Sequence, residues 1–161
     1  MNETQRFLLL AILIGIFAGL LVVCFHMAID AMSWHTIETP APRPAYWRIL
    51  IPGLGAIAAV WLVNRVFGAA RGSGVNDTKA AVYISDGNVP FNAVIGKFLA
   101  CAISIGTGNS LGPEDPSLHM GAGVASLLGR VFRLPREKMR LIAPVGAAAG
   151  LAAAFNTPIA A

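Results

Sequence analysis

The chain has 161 residues, of which 56% are hydrophobic and 12% charged, with a formal net charge of +4. A soluble domain typically carries about a quarter charged residues, so this balance excludes an ordinary water-soluble globule. The positive side chains collect at the ends of apolar segments, as the positive-inside rule requires of a membrane protein, which excludes a nucleic-acid surface as the reason for the basic balance.

Residues 7–29 contain no Asp, Glu, Lys or Arg. At about 1.5 Å per residue the run reaches roughly 34 Å, enough to cross a hydrocarbon core. It is too long for the apolar part of a cleaved signal peptide, and further apolar segments follow it. The second segment covers residues 46–67. Pro40, Pro42 and Pro44 precede it and predict an irregular connecting loop. Arg65 and Arg71 follow, and a glycine-rich break occupies 71–77. Residues 78–85 are too short to span and read as a partial helix. Residues 91–105 are apolar apart from Lys97, and a second break covers 106–116. A helical pattern resumes over 117–132. Arg130, Arg133, Arg136, Glu137, Lys138 and Arg140 form a basic connector, and 141–155 is a helix of small residues. The fold class is all-α: a multi-pass integral membrane protein with short and interrupted helices.

The charges also predict sidedness. Arg6, the group Arg65, Arg71 and Lys79, and the 130–140 connector read as cytoplasmic, with the loop 36–45 outside. Gly15 and Gly19, and Gly146 and Gly150, have the small-xxx-small spacing that predicts close helix approach in lipid. Cys24 and Cys101 lie in apolar runs and read as small buried thiols, with neither a disulfide nor a metal site implied.

The two breaks carry the chemistry. Irregular backbone at membrane depth is tolerated only inside protein or beside a water-filled cavity. A short helix that starts there aims free N–H groups and about half a positive charge at whatever lies in front of it. That arrangement binds an anion weakly enough for passage, where a full cation would hold it. Gly72 and Gly74 expose backbone on either side of Ser73, whose hydroxyl is a further donor. In the second break Glu114 and Asp115 lie between two prolines in an apolar region. An intramembrane carboxylate is a functional candidate. Glu114 suits a helix start and is expected to occupy the anion's own place until protonated. Asp115 and His119 are four apart and share a helix face, but a metal site needs three or four ligands and no further cluster is present in the sequence. No metal or cofactor is predicted.

The pair Gly72-Ser73-Gly74-Val75 and Gly112-Pro113-Glu114-Asp115-Pro116 resembles the CLC chloride channels and chloride/proton antiporters. The closing stretch Gly146-Ala147-Ala148-Ala149-Gly150-Leu151-Ala152-Ala153-Ala154-Phe155-Asn156-Thr157-Pro158 is similar to a specific motif of that family. The resemblance implies voltage-gated or proton-coupled anion transport by a homodimer in the cell (plasma or inner) membrane. Chloride or a similar small anion would be the substrate, with protons as a second one in the antiporters. It implies that Gly72, Ser73, Gly74, Gly112, Glu114 and Asp115 surround the anion and that Glu114 gates it and carries the proton. Lys97 falls where some relatives keep a buried lysine near the pore, though a lysine snorkelling to the interface fits equally. His119 reads as pore-lining or helix-packing.

Departures from the family pattern are informative. Asn76 stands where the family has Pro, Pro113 where it has Lys or Arg, and Asp115 where it has Gly. Pro113 removes a charge and a donor, and Asp115 adds a second carboxylate. Weaker external anion binding is expected. Relative to the family, the chain corresponds to the N-terminal part of the first of two inverted repeats. The other anion-facing helix, a pore tyrosine, most of the dimer interface and the inner proton acceptor would lie beyond it, so channel and antiporter both remain open. A non-transporting membrane scaffold is the competing reading.

Overall fold

The computed structural model describes residues 3–38, 44 and 46–157. Pro40, Pro42, most of the predicted outer loop and Pro158 lie outside the described residues. Six α-helices account for the architecture, and no strand occurs among the described residues.

Helix α1 (Glu3–Thr36) is longer than the charge-free run because no breaker interrupts it. Its polar groups are satisfied locally: His26 Nδ1 donates to Val22 O at 3.0 Å and Thr36 Oγ1 to Met32 O at 2.8 Å. One face buries Leu10, Ile14, Ala18, Val22 and Phe25 at helical spacing, while Leu8, Ile12, Ile16 and Leu20 point away from the bundle. Helix α2 (Trp47–Arg65) runs back alongside α4 (Phe91–Gly106). A short 3₁₀ turn, Gly68–Ala70, leads into α3 (Gly74–Tyr83). Helix α5 (Glu114–Val131) is the central element and packs on α1, α3, α4 and α6 (Arg136–Phe155).

The α5–α6 seam is made by absent side chains. A Cβ on Gly121 would run into Gly146 O, and one on Gly150 would run into Ser117 O. The two backbones therefore touch, as the Gly146/Gly150 spacing predicted. The Gly15/Gly19 spacing makes no such approach, because a Cβ at either position meets nothing within 4 Å. Those glycines lie off the buried stripe of α1. The thiol expectation also needs correcting: Cys24 is exposed, since it too falls off that stripe, and Cys101 is half-buried.

Contacts at the helix ends define two poles. Thr36 Oγ1 donates to Gly106 O at 2.7 Å, and Asn109 Nδ2 to Pro52 O at 3.1 Å. That pole joins the end of α1, the start of α2 and the α4–α5 loop. At the other pole Arg136 and Arg140 pair with Asp86, and Arg130 donates to Asn88 Oδ1 at 2.9 Å. Arg6 lines a cleft with Leu134 and Lys138 there, so Arg6 and the basic connector share one end. The connector is largely helical: Arg130 belongs to α5, Arg136 and Arg140 to α6, and only the turn at Arg133 (φ +53°) separates them.

Three helices, α1, α2 and α6, are long and apolar enough to cross a membrane, and α4 is a shorter apolar helix. Helix α3 has only 10 residues and ends at the basic pole. At about 1.5 Å per residue it is roughly 15 Å long, about half of what a hydrocarbon core about 30 Å thick requires. The interrupted helix expected from the first break is therefore present, but it begins at Gly74 rather than Thr78.

Candidate functional site: the start of helix α3

Gly72 has φ +93°, a backbone region that favours glycine and turns the chain sharply into α3. Ser73 follows in extended conformation (φ −81°, ψ 132°), as an N-cap residue should. Its hydroxyl does not cap its own helix. Instead Ser73 Oγ donates to Asp115 Oδ1 at 2.7 Å. The Gly74 N–H donates to Asp115 Oδ2 at 2.7 Å and the Val75 N–H to Asp115 Oδ1 at 3.0 Å. Three donors from one helix start thus converge on a carboxylate from another helix. Such charge-assisted bonds are short and about twice as strong as neutral ones.

Helix α5 comes this close because Gly74 has no side chain. A Cβ there would lie 2.6 Å from Asp115 O and 2.8 Å from His119 Cβ. His119, one turn beyond Asp115, seals the seam. Its ring is 2% exposed, with Nδ1 3.3 Å from Gly74 O and 3.1 Å from Thr78 Oγ1. A carbonyl can only accept, so Nδ1 carries the proton in the bond to Gly74. Nε2 is buried without a hydrogen-bond partner.

Lys97 holds the turn from behind. Its side chain is buried, and Nζ donates to Gly72 O at 2.9 Å and Asp77 Oδ2 at 3.3 Å. The ammonium therefore does not snorkel to an interface. It fixes the peptide that precedes Ser73 and adds positive potential beside the α3 start. Asp77 was not singled out from the sequence. Its signal was the apolar setting of Lys97, because a buried cation requires a partner.

The two remaining predicted residues take another place. The Glu114 carboxyl folds back over Gly112, where a Cβ on Gly112 would meet Glu114 Oε2. Among the described residues Glu114 makes no hydrogen bond to α3. The carboxylate at the α3 start is Asp115, one position along from the residue expected there. Position on the helix explains this: the α5 start faces α3 through Asp115 and His119, four residues apart. A cleft of about 320 Å³ between α2 and α4 reaches Gly72; Asn64, Arg71, Cys101 and Ser104 are among its lining. Among the described residues, no three His, Cys, Asp or Glu side chains form a metal-binding group.

A helix start whose first N–H groups are bonded to a carboxylate has the donor arrangement that suits an anion. The sequence model described as voltage gated chloride channel matches residues 55–161, and the chain belongs to this family, the CLC family. It is 34% identical over 163 residues to the H(+)/Cl(-) exchange transporter ClcA of Vibrio cholerae, covering 95% of this chain and 34% of that protein. It is 29% identical over 166 residues to the voltage-gated ClC-type chloride channel ClcB of Yersinia pseudotuberculosis, covering 96% of this chain and 40% of that one. The fold matches the crystal structure of a CLC-type fluoride/proton antiporter with a TM-score of 0.77 at 22% identity, over 98% of this chain and 38% of the other. The chain thus spans between a third and two fifths of the length of these relatives.

Proposed function

We propose that this chain is the N-terminal portion of a CLC-type transmembrane unit that moves chloride or a similar anion across the cell membrane. We further propose that the anion binds at the start of α3. The observation that carries this reading is the carboxylate of Asp115 on Ser73 Oγ, Gly74 N and Val75 N. A site that holds a carboxylate with three donors, two on Oδ1 and one on Oδ2, has the charge to hold a halide. Asp115 then competes with the substrate. The site is open only in the fraction of molecules in which Asp115 has turned away, and apparent anion affinity falls by that fraction. A proton on Asp115 or Glu114 removes a competing charge, which links anion entry to protons. The relatives named as exchangers and channels support transport without chemical turnover, and a homodimeric assembly follows from the family resemblance.

Chloride efflux from vesicles containing the intact protein tests this. Ser73→Ala is expected to lower flux and Glu114→Ala to alter its dependence on pH. Equal flux from empty vesicles and from vesicles holding well-folded wild type would instead favour the non-transporting scaffold.

A further inference from the structure

Asp115 and His119 grip α3 at opposite ends of a single peptide unit. The Val75 N–H donates to Asp115 Oδ1 at 3.0 Å, and Gly74 O lies 3.3 Å from His119 Nδ1. Gly74 O and the Val75 N–H belong to the same planar trans peptide, so they point in opposite directions. A donor on that carbonyl therefore fixes the direction of the N–H and deepens its positive charge. The neighbouring donor peptide is held differently. Ser73 O, which shares its peptide with the Gly74 N–H, accepts the ordinary helical bond from Asp77 N at 3.0 Å.

The ring can do this in one tautomer. With the proton on Nδ1, His119 donates to Gly74 O and to Thr78 Oγ1, 3.1 Å away, and Nε2 is a bare acceptor. With the proton on Nε2, a lone pair would face the Gly74 carbonyl, and a buried N–H would have no acceptor among the described residues. Both features are penalties, so the first tautomer is favoured. His119 is 2% exposed, so water does not compete for the Gly74 carbonyl at this face.

We propose that His119 is a positioning residue for the anion site, a role that rests on the reading of the α3 start as that site. Through the Gly74–Val75 peptide, its Nδ1–H aims and polarises the Val75 N–H toward the anion that the α3 start holds. Polarisation along a hydrogen-bond chain strengthens a bond by about 10–30%. On a bond to an anion this corresponds to about a twofold to fourfold change in affinity.

The test is amide NMR of the intact protein in detergent, labelled with carbonyl-¹³C glycine and ¹⁵N valine. Such labelling selects Gly–Val pairs, which in this sequence are Gly74–Val75 and Gly123–Val124. Loss of a peak in Val75→Ile assigns the first. In Asp115→Asn protein, chloride is expected to shift the Val75 amide. Adding His119→Leu should move the chloride-free Val75 amide proton upfield, with a much smaller change at Val124, and weaken chloride binding about threefold. Adding His119→Asn instead should restore both, because the asparagine amide nitrogen can stand where Nδ1 stands. Chloride affinity unchanged by His119→Leu would overturn the proposal while keeping the α3 site. So would a loss that His119→Asn does not restore. A Val75 amide that ignores chloride in Asp115→Asn protein would overturn the site reading and the proposal together. If His119→Leu does not yield monodisperse protein, the imidazole ¹⁵N shifts of His119 in the wild type decide: a protonated Nδ1 supports the proposal, and a protonated Nε2 overturns it.

Discussion

The starts of α3 and α5 meet each other in the same bundle, yet they are chemical opposites. The α3 start reads Ser73-Gly74-Val75-Asn76 and keeps its backbone donors, two of which already hold Asp115. The α5 start reads Pro113-Glu114-Asp115-Pro116, so two of its first four positions have no N–H and the other two carry carboxylates. One helix start supplies donors and the other supplies the anion. A helix dipole by itself does not make an anion site; N–H donors must be present. The α3 start has them, bonded here to Asp115 of α5.

The largest effect should come from closing the gap between them. Gly74→Val places a branched side chain where a Cβ already meets Asp115 O and His119 Cβ. Overpacking of this kind costs about 1–3 kcal/mol. The expected outcome is loss of monodisperse protein or a sharply lowered melting temperature, read by size-exclusion chromatography and thermal unfolding in detergent. Gly15→Leu is the matched control on α1, where nothing lies within 4 Å, and should leave both unchanged.

Next in size is removal of one donor. Ser73→Ala deletes the hydroxyl that bonds Asp115 Oδ1. A hydrogen bond to a charged group contributes about 1.5–3 kcal/mol, so anion affinity at this site should fall roughly tenfold or more. Chloride titration of a variant already lacking the Asp115 charge measures this without the competing carboxylate.

How much of this was legible in the sequence depended on the kind of signal. The membrane character and the helix order followed from charge-free length, which acts locally. The two breaks were visible because glycine and proline punctuate the backbone wherever they occur. The Gly146/Gly150 seam was legible too, whereas Gly15/Gly19 misled: spacing alone does not say which face of α1 is buried. Asp115 shows the deeper limit. Glu114 and Asp115 are adjacent, and which of them reaches α3 is decided by the rotation of α5 about its axis. That rotation is fixed by remote contacts, including Gly121 on Gly146 and His119 on Gly74. The Lys97–Asp77 pair was hidden for the same reason, since it joins α4 to α3 across 20 positions.

A smaller effect should follow from Lys97→Met. This leaves Gly72 O and Asp77 without their shared donor, while Asp77 retains access to water. A loss of about 1–3 kcal/mol is expected from the stranded acceptors, seen as a lower unfolding midpoint with the helix content preserved. The smallest change should come from Pro113→Lys, which returns a charge and one N–H to the α5 start but leaves Asp115 on α3. Chloride affinity should rise by about threefold or less, within the range of a partly exposed charge near a helix end.

The most direct measurement is calorimetric titration of chloride into the intact protein, comparing wild type with Asp115→Asn. If Asp115 occupies the anion's place, the neutral side chain competes less and chloride should bind about tenfold more tightly in the variant. Chloride binding that is unchanged or weaker in a well-folded Asp115→Asn protein would contradict the assignment of the α3 start as the anion site with Asp115 as its resident competitor.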